Sequence, residues 1–264
     1  MNEAELRDRL AHLSLGGIHY RARASSTNQM AREYAAAGAP SFSLFVADEQ
    51  TAGRGRKGRT WITVPGAGLA FSLLLPSGSS QRPENMVGRL SGLGALAGVR
   101  ALEAACDLQA EIKWPNDLLI QGKKVGGVLV ELAWQDEVLQ EVILGTGINV
   151  RPHALPEGVH LRFPATTVED ETGRPVDRVD VLVRYLESLL SWYRRREEES
   201  FRQAWQESLA FRGERVQVTS RGKLLGEGVL LGLTAAGSLR IRKGSGREKV
   251  FPVGEIGLRP VDRS

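Results

Sequence analysis

The chain is poor in residues that cross-link or ligate. Cys106 is the single cysteine among 264 residues, so no disulfide can close within it. That fits a reducing compartment. Cys106 lies in the apolar stretch ALEAACDLQA, where a thiol packs as a small hydrophobe. The four histidines, His12, His19, His153 and His160, show no metal-ligand spacing. Long apolar runs are missing, and LAFSLLL (residues 69–75) is too short to cross a bilayer. The opening MNEAELRDRL is charged throughout and has no signal-peptide core. These absences predict a soluble, cytoplasmic protein with no membrane partner. Also missing are the Gly-Lys-Ser/Thr ending of a Walker loop, a G-x-S-x-G elbow and the kinase motif set.

What is present is ordinary in bulk and uneven in detail. With 42% hydrophobic and 25% charged residues the chain is neither collagen-like nor disordered. Its length suits one large domain, or a medium one plus a small one, with a core that needs no staples. Lys and Arg exceed Asp and Glu by 35 to 31, a net +4. A modest excess of this kind hints at an anionic partner. The loop GRGRKGR (53–59) holds four cations, Arg54, Arg56, Lys57 and Arg59, and no anion. It alone accounts for the +4. Elsewhere, residues 213–264 carry 10 cations and 5 anions, and residues 1–212 outside the loop carry 21 and 26.

Hydrophobic spacing predicts an amphipathic helix over 3–13, with Leu6, Leu10 and Leu13 on one side. Ser25-Ser26-Thr27-Asn28 supplies N-cap chemistry for a helix over about 28–37. Strands are expected at 41–47 and 68–76, and a long helix at 83–106. Gly88, Gly92, Gly94 and Gly98 in that helix imply that something packs close to its backbone. Short strands follow at 109–114, 117–121, 124–133 and 138–149. Segment 151–178 has few periodic signals and many turn formers, and reads as a mobile loop region. Two helical stretches fill 179–210. From Gly213 the texture becomes short β-type runs between glycine turns, which predicts a small β-barrel or sandwich appended to the main domain.

Four segments carry chemistry. In GRGRKGR the glycines let the backbone approach a ligand, and the arginine forks suit carboxylate and phosphate oxygens. A solvated basic turn and an RGG-like nucleic-acid patch are the other readings of this loop. KWPNDLL (113–119) is good turn chemistry, yet Lys113, Asn116 and Asp117 also set a cation, an amide and a carboxylate at one strand end. Such a group can hold a nucleotide, a metal ion or an incoming amine. In KKVGGVLVE, Lys124 precedes Gly126 and Gly127, and glycines within a strand mark a bulge or a close approach. GTGINV (145–150) repeats the theme. No protein nucleophile is evident, so the chemistry is positioning and electrostatic stabilisation around anions.

Together these segments resemble the biotin protein ligases. STN (26–28), DEQTAGRGRKGRTW (48–61), KWPNDLL (113–119), KVGGVLVE (124–131) and GTGINV (145–150) stand in the family's order at compatible spacing. Each is weak alone, but five in order are very specific. The strong match covers roughly residues 20–170. The resemblance implies an α+β fold: a mixed β-sheet with flanking helices, akin to class II aminoacyl-tRNA synthetases, over residues 1–212. A small SH3-like β-barrel over 213–264 completes it. It also implies a two-step reaction, in which biotin and ATP give biotinyl-5′-AMP and pyrophosphate. A lysine of a biotin carboxyl carrier protein, as in acetyl-CoA carboxylase, then takes the biotin. ATP and Mg²⁺ are the co-substrate and ion, with no tightly bound prosthetic group.

Carried onto this chain, the resemblance assigns biotin contacts to Ser26, Thr27, Asn28, Gln50, Gly53, Arg54, Gly55, Arg56, Lys124, Gly126, Gly127 and Gly147. It assigns ATP contacts to Arg54, Arg56, Arg59, Trp61, Asn116, Lys124, Asn149 and Arg259. Lys124 and Arg56 would stabilise charge at the α-phosphate. Asp117 would orient or deprotonate the acceptor lysine, and Asn116 with Asp117 would serve Mg²⁺. Trp61 would cover the ligand, a core tryptophan being the other reading. An acyl-adenylate hydrolyses readily, so loop 53–59 and segment 151–170 are expected to order over it as lids. The chain departs from the family in having Thr167 where Ser is common. It also lacks the adenine-facing Trp of some members, with Phe163 or His160 as substitutes. The N-terminal helix-turn-helix of repressor-type members is absent, so no DNA binding is expected, and a homodimer paired through the central sheet is left open. The rival readings are a lipoate-protein ligase, whose own motif is not found, a nucleic-acid-binding protein and a non-catalytic regulator.

Overall fold

A computed structural model describes residues 1–77, 83–155, 163–220, 223–253 and 256–261. His160, one of the two adenine-facing candidates, lies outside the described residues, as do residues 156–162 of the second expected lid.

The apolar runs become strands. β1 (Gly17–Ala24), β2 (Ser43–Gln50), β3 (Gly68–Leu75), β4 (Ala110–Lys113), β5 (Asp117–Ile120), β6 (Lys123–Gln135) and β7 (Val138–Asn149) form one seven-stranded sheet. Their spatial order is β1-β2-β3-β7-β6-β5-β4. Only β1 and β2 run parallel, and every other neighbouring pair is antiparallel, so the sheet is mixed. The strand β1 is absent from the expectations above. It lies at the sheet edge with only Ile18 and Ala24 buried; its sequence GIHYRARA does alternate, with Ile18, Tyr20, Ala22 and Ala24 against His19, Arg21 and Arg23, but two of the four apolar positions are alanines and the signal is weak.

Both faces of the sheet are covered, which is why all eight residues of β3 are buried. On one face lie α3 (Pro83–Cys106) and α5 (Arg178–Arg194), packed against Phe71, Leu73, Val128 and Leu144. On the other lies α2 (Thr27–Ala36), whose Met30 and Ala31 meet Phe45, Leu74 and Ile143. The helix α1 (Glu3–Arg9) is capped by Asn2 and buries Leu6. It stops short of the expected residue 13.

The glycines of α3 do bring neighbours close. A Cβ at Gly88 would meet Val253 at 2.7 Å, at Gly94 Val128 at 2.9 Å, and at Gly98 Leu118 at 2.6 Å. At Gly92 it would fall inside the Trp205 ring. Cys106 is buried, and burial pushes its thiol pKa up to about 11, as expected of an inert packing residue.

Segment 151–178 is not all loop. It holds α4 (Val168–Thr172), capped by Thr167 and closed by Gly173 in the left-handed conformation. Five residues with a single buried side chain, Val168, are too few to show a helical period. The helix α6 (Glu199–Glu207) follows α5. The tail forms a second, antiparallel sheet of β8 (Arg215–Ser220), β9 (Lys223–Leu233), β10 (Leu239–Arg242), β11 (Glu248–Phe251) and β12 (Ile256–Pro260), ordered β11-β10-β9-β8-β12. Five short antiparallel strands are compatible with an SH3-like fold. Its apolar side chains share one core with the first sheet, and the Trp114 indole donates to the Gly237 carbonyl at 3.0 Å.

Candidate functional site

The site is built where α2 begins above β3, β7 and β6. On β7 and β6, Gly145 pairs with Leu129 and Gly147 with Gly127. These residues alternate with Val128 and Val130, which face the α3 core, so the glycines floor the α2 side of the sheet. A Cβ at Gly145 would collide with the Asn28 amide, and one at Gly147 with the Trp61 ring. The two glycines therefore leave space that neighbouring side chains already use. Trp61 lies on the floor rather than in the core.

The helix start supplies a polar rim. Ser26, Thr27 and Asn28 are buried, and the Ser26 hydroxyl caps α2 by accepting from the Gln29 amide. Asn28 Nδ2 donates to Glu131 Oε2 at 2.7 Å. The Ser72 hydroxyl donates to Asn28 Oδ1 at 2.6 Å, and its oxygen lies 2.7 Å from Thr27 Oγ1. Thr27 donates to Gln50 Oε1 through its amide at 2.9 Å and its hydroxyl at 3.2 Å. Gln50 Nε2 then donates to Thr63 Oγ1 at 3.2 Å. Ser72 and Glu131 were not foreseen. The signal for Ser72 was a lone hydroxyl in an otherwise apolar run, and for Glu131 a carboxylate within the apolar run VLVELAW.

Loop 53–59 folds back over this rim. Gly55 donates to the Arg59 carbonyl at 2.7 Å and Trp61 to the Gly53 carbonyl at 2.9 Å, closing a short ladder. Lys57 sits at φ 62° at the tip. Arg54 pairs with Glu131 at 3.1 Å. Arg56 reaches across the floor and donates to Asn116 Oδ1 at 2.8 Å, while Asn116 Nδ2 donates to the Val128 carbonyl at 2.7 Å. Burial lowers the Arg56 pKa, and Arg59 adds to this, while Asp117 opposes it.

At the far end of the floor Lys124 Nζ meets Asp117 Oδ1 at 2.5 Å, and lies 5.8 Å above the Trp61 ring. Gly127 makes room for this pair: a Cβ there would stand 3.3 Å from Lys124 Nζ. At Gly126 one would meet the Gly147 carbonyl at 2.8 Å, so that glycine serves strand packing. The Lys124 backbone donates to the Pro164 carbonyl at 2.7 Å and accepts from the Thr166 amide at 2.9 Å. Asn149 Nδ2 donates to the Thr166 carbonyl at 3.3 Å, which assigns it to holding this segment. Phe163 covers the ammonium of buried Lys113, 3.4 Å from the ring centroid. Desolvation pulls the Lys113 pKa down to about 8; Lys124, Arg259 and Arg59 push the same way and Asp117 opposes them. Arg259, exposed on β12, thus brings charge from the second sheet to the site.

The oxygens nominated for Mg²⁺ are each engaged with a cation of the chain. Asp117 Oδ1 already meets the Lys124 ammonium, and Asn116 Oδ1 the Arg56 guanidinium. Among the described residues no group of three or more His, Cys, Asp or Glu converges as metal ligands.

Fold and site define a class: an α+β protein whose cations converge over a glycine floor beside a buried polar rim, suited to an acidic ligand with a polar head. Residues 20–149 match the Biotin/lipoate A/B protein ligase family. The chain is 34% identical over 245 residues to the biotin–[acetyl-CoA-carboxylase] ligase of Paracoccus denitrificans, spanning 89% of this chain and 98% of that one. It is 38% identical over 183 residues to the bifunctional ligase/repressor BirA of Bacillus spizizenii, covering 69% of this chain and 55% of the relative. The chain thus spans about half the length of that relative. Its fold is similar to the biotin protein ligase of Aquifex aeolicus in complex with biotin and ATP, with TM-score 0.78 and 32% identity. That likeness covers 93% of this chain and 99% of the other. The chain belongs to the Biotin/lipoate A/B protein ligase family. Among the described residues no helix is long and apolar enough to cross a membrane.

Proposed function

We propose that the chain is an ATP-dependent ligase that makes biotinyl-5′-AMP and passes the biotin to a lysine of a biotin carboxyl carrier protein. The observation that carries this reading is the convergence of Arg56, Lys113 and Lys124, with Arg59 and Arg259 near enough to act on Lys113, at one end of a glycine floor. The uncharged rim of Thr27, Asn28, Ser72 and Gln50 closes the other end. Biotin, with a polar ureido ring at one end and a carboxylate at the other, matches that gradient.

In the first step a biotin carboxylate oxygen bonds to the α-phosphorus of ATP. The bond from that phosphorus to the bridging oxygen breaks, and pyrophosphate leaves. Charge grows on the phosphoryl oxygens, and pre-placed cations in a poorly hydrated site lower that barrier. Lys124 and Arg56 are held there by Asp117 and Asn116 before any ligand arrives, so little reorganisation is needed. In the second step the acceptor amine attacks the acyl carbon, AMP leaves, and the amine loses a proton. Asp117 takes that proton on the carboxylate oxygen that does not meet Lys124. Mg²⁺ belongs to this scheme as part of the ATP substrate. In the same reading residues 1–212 form the catalytic unit, and residues 213–264 form a smaller one that lends it Arg259.

The test is to incubate the protein with ATP, Mg²⁺, a carboxyl carrier domain and either biotin or lipoate, and to weigh the carrier. A mass increase with biotin alone is expected; an increase with lipoate alone overturns the proposal. Lys124→Ala should cut biotin-dependent pyrophosphate release at least about 100-fold, the usual scale for a lost transition-state donor. Release at the wild-type rate removes Lys124 from the mechanism.

A further inference from the structure

One acidic side chain ties the polar rim to the basic loop. Glu131 projects from β6 on the floor side, partly buried, and its Oε2 contacts both Asn28 Nδ2 and Arg54. Arg32 lies farther off at 3.9 Å from Glu131 and is shared with Glu141 at 3.5 Å. From Arg54 the contacts run through Glu131, Asn28, Ser72 and Thr27 to Gln50 and Thr63. The path leaves from within loop 53–59, crosses the rim, and returns to the residues just before and just after the loop.

We propose that Glu131 is a positioning residue that fixes the Asn28 amide for ligand recognition and holds Arg54 at the rim, linking occupation of the rim to the state of the loop. The inference rests on the ligase reading given above. A carboxylate only accepts hydrogen bonds, so it forces Asn28 to present Nδ2 on that side and Oδ1 toward Ser72. The Ser72 proton is then committed to Asn28. Gln50 Oε1 takes the Thr27 donors, which leaves its Nε2 for Thr63. An uncharged amide at position 131 would offer both a donor and an acceptor, so neither orientation of Asn28 would be enforced. It would also lose the ionic part of the Arg54 contact, and charge-assisted hydrogen bonds are roughly twice as strong as neutral ones.

The experiment is Glu131→Gln in the full chain, read in two ways. Limited trypsin digestion without ligand, followed by mass spectrometry, should show cleavage after Arg54 several-fold faster than in wild type. Steady-state pyrophosphate release should show the biotin KM raised about tenfold, the scale of one lost charge-assisted hydrogen bond, with the ATP KM unchanged. Wild-type values in either assay, or equal rises in both KM values, overturn the proposal. If Glu131→Gln does not fold, Glu131→Asp, with the same charge on a shorter stem, is taken through both assays with the same signs expected. A wild-type protein that forms no adenylate from biotin overturns the ligase reading instead, while the ligand-free cleavage assay still judges the Glu131–Arg54 contact.

Discussion

Lys113 shows the conflict between a stable residue and a useful one. The residue is 9% exposed, its ammonium lies under Phe163, and its pKa is drawn from 10.5 down to about 8. A lysine whose folded pKa is depressed holds fewer protons than the unfolded chain between those two values. Its destabilising effect is therefore full below about pH 8 and fades as pH rises toward 10.5. Lys113→Met should stabilise the ligand-free protein at pH 7 by about 1–3 kcal/mol, after allowing for the lost contact with the ring. Denaturant unfolding at pH 7 and pH 10 measures this, and the gain should shrink at the higher pH. Gly145→Ala has no such gain. The new methyl falls on the Asn28 amide, so the biotin KM should rise about tenfold or more, and overpacking should lower stability by about 1–3 kcal/mol. Steady-state kinetics decide. Both residues stand in segments whose chemistry was readable from the sequence. Glu131 was not readable, because a charge within a strand looks the same whether it meets water or, as here, Asn28 and Arg54.

The element that organises the face opposite α2 is α3. Its glycines cost helix propensity, about 1 kcal/mol each relative to alanine, and that cost is offset by contacts a Cβ would block. Gly92→Ala recovers the propensity but drives a methyl into the Trp205 ring. Overpacking of this kind costs about 1–3 kcal/mol, so the variant should lower Tm, whereas a rise in Tm would show that Trp205 can move aside. The long helix and nearly all strands of the sheet were legible because their apolar patterns are strong. The strand β1 and the helix α4 were not. The first alternates only weakly, two of its four apolar positions being alanine, and the second rests on its Thr167 cap, which leaves no hydrophobic period.

At the scale of the whole molecule the two sheets are not independent. Val216, Leu230, Leu239 and Ile241 of the second belong to the same buried cluster as Trp114, Leu96 and Trp205. The ring of Trp205 also fills the space over Gly237. A chain ended after residue 212 should therefore expose apolar surface, bind a hydrophobic dye and unfold at lower denaturant; two-state unfolding at the full-length midpoint would show that the second sheet is dispensable. The change of texture at Gly213 was visible in the sequence, but a shared core was not, since composition reports what a segment contains and not what it touches.

The backbone clasp on Lys124 separates its register from the side chains beside it. The Pro164 carbonyl and the Thr166 amide hold both polar backbone groups of Lys124, and neither bond depends on the side chains at 164–166 beyond the need for an amide at 166. Substitutions at 164 and 165 that keep this backbone path should therefore leave the register of Lys124 unchanged. A stretch whose role is carried by peptide groups leaves almost no trace in its spelling.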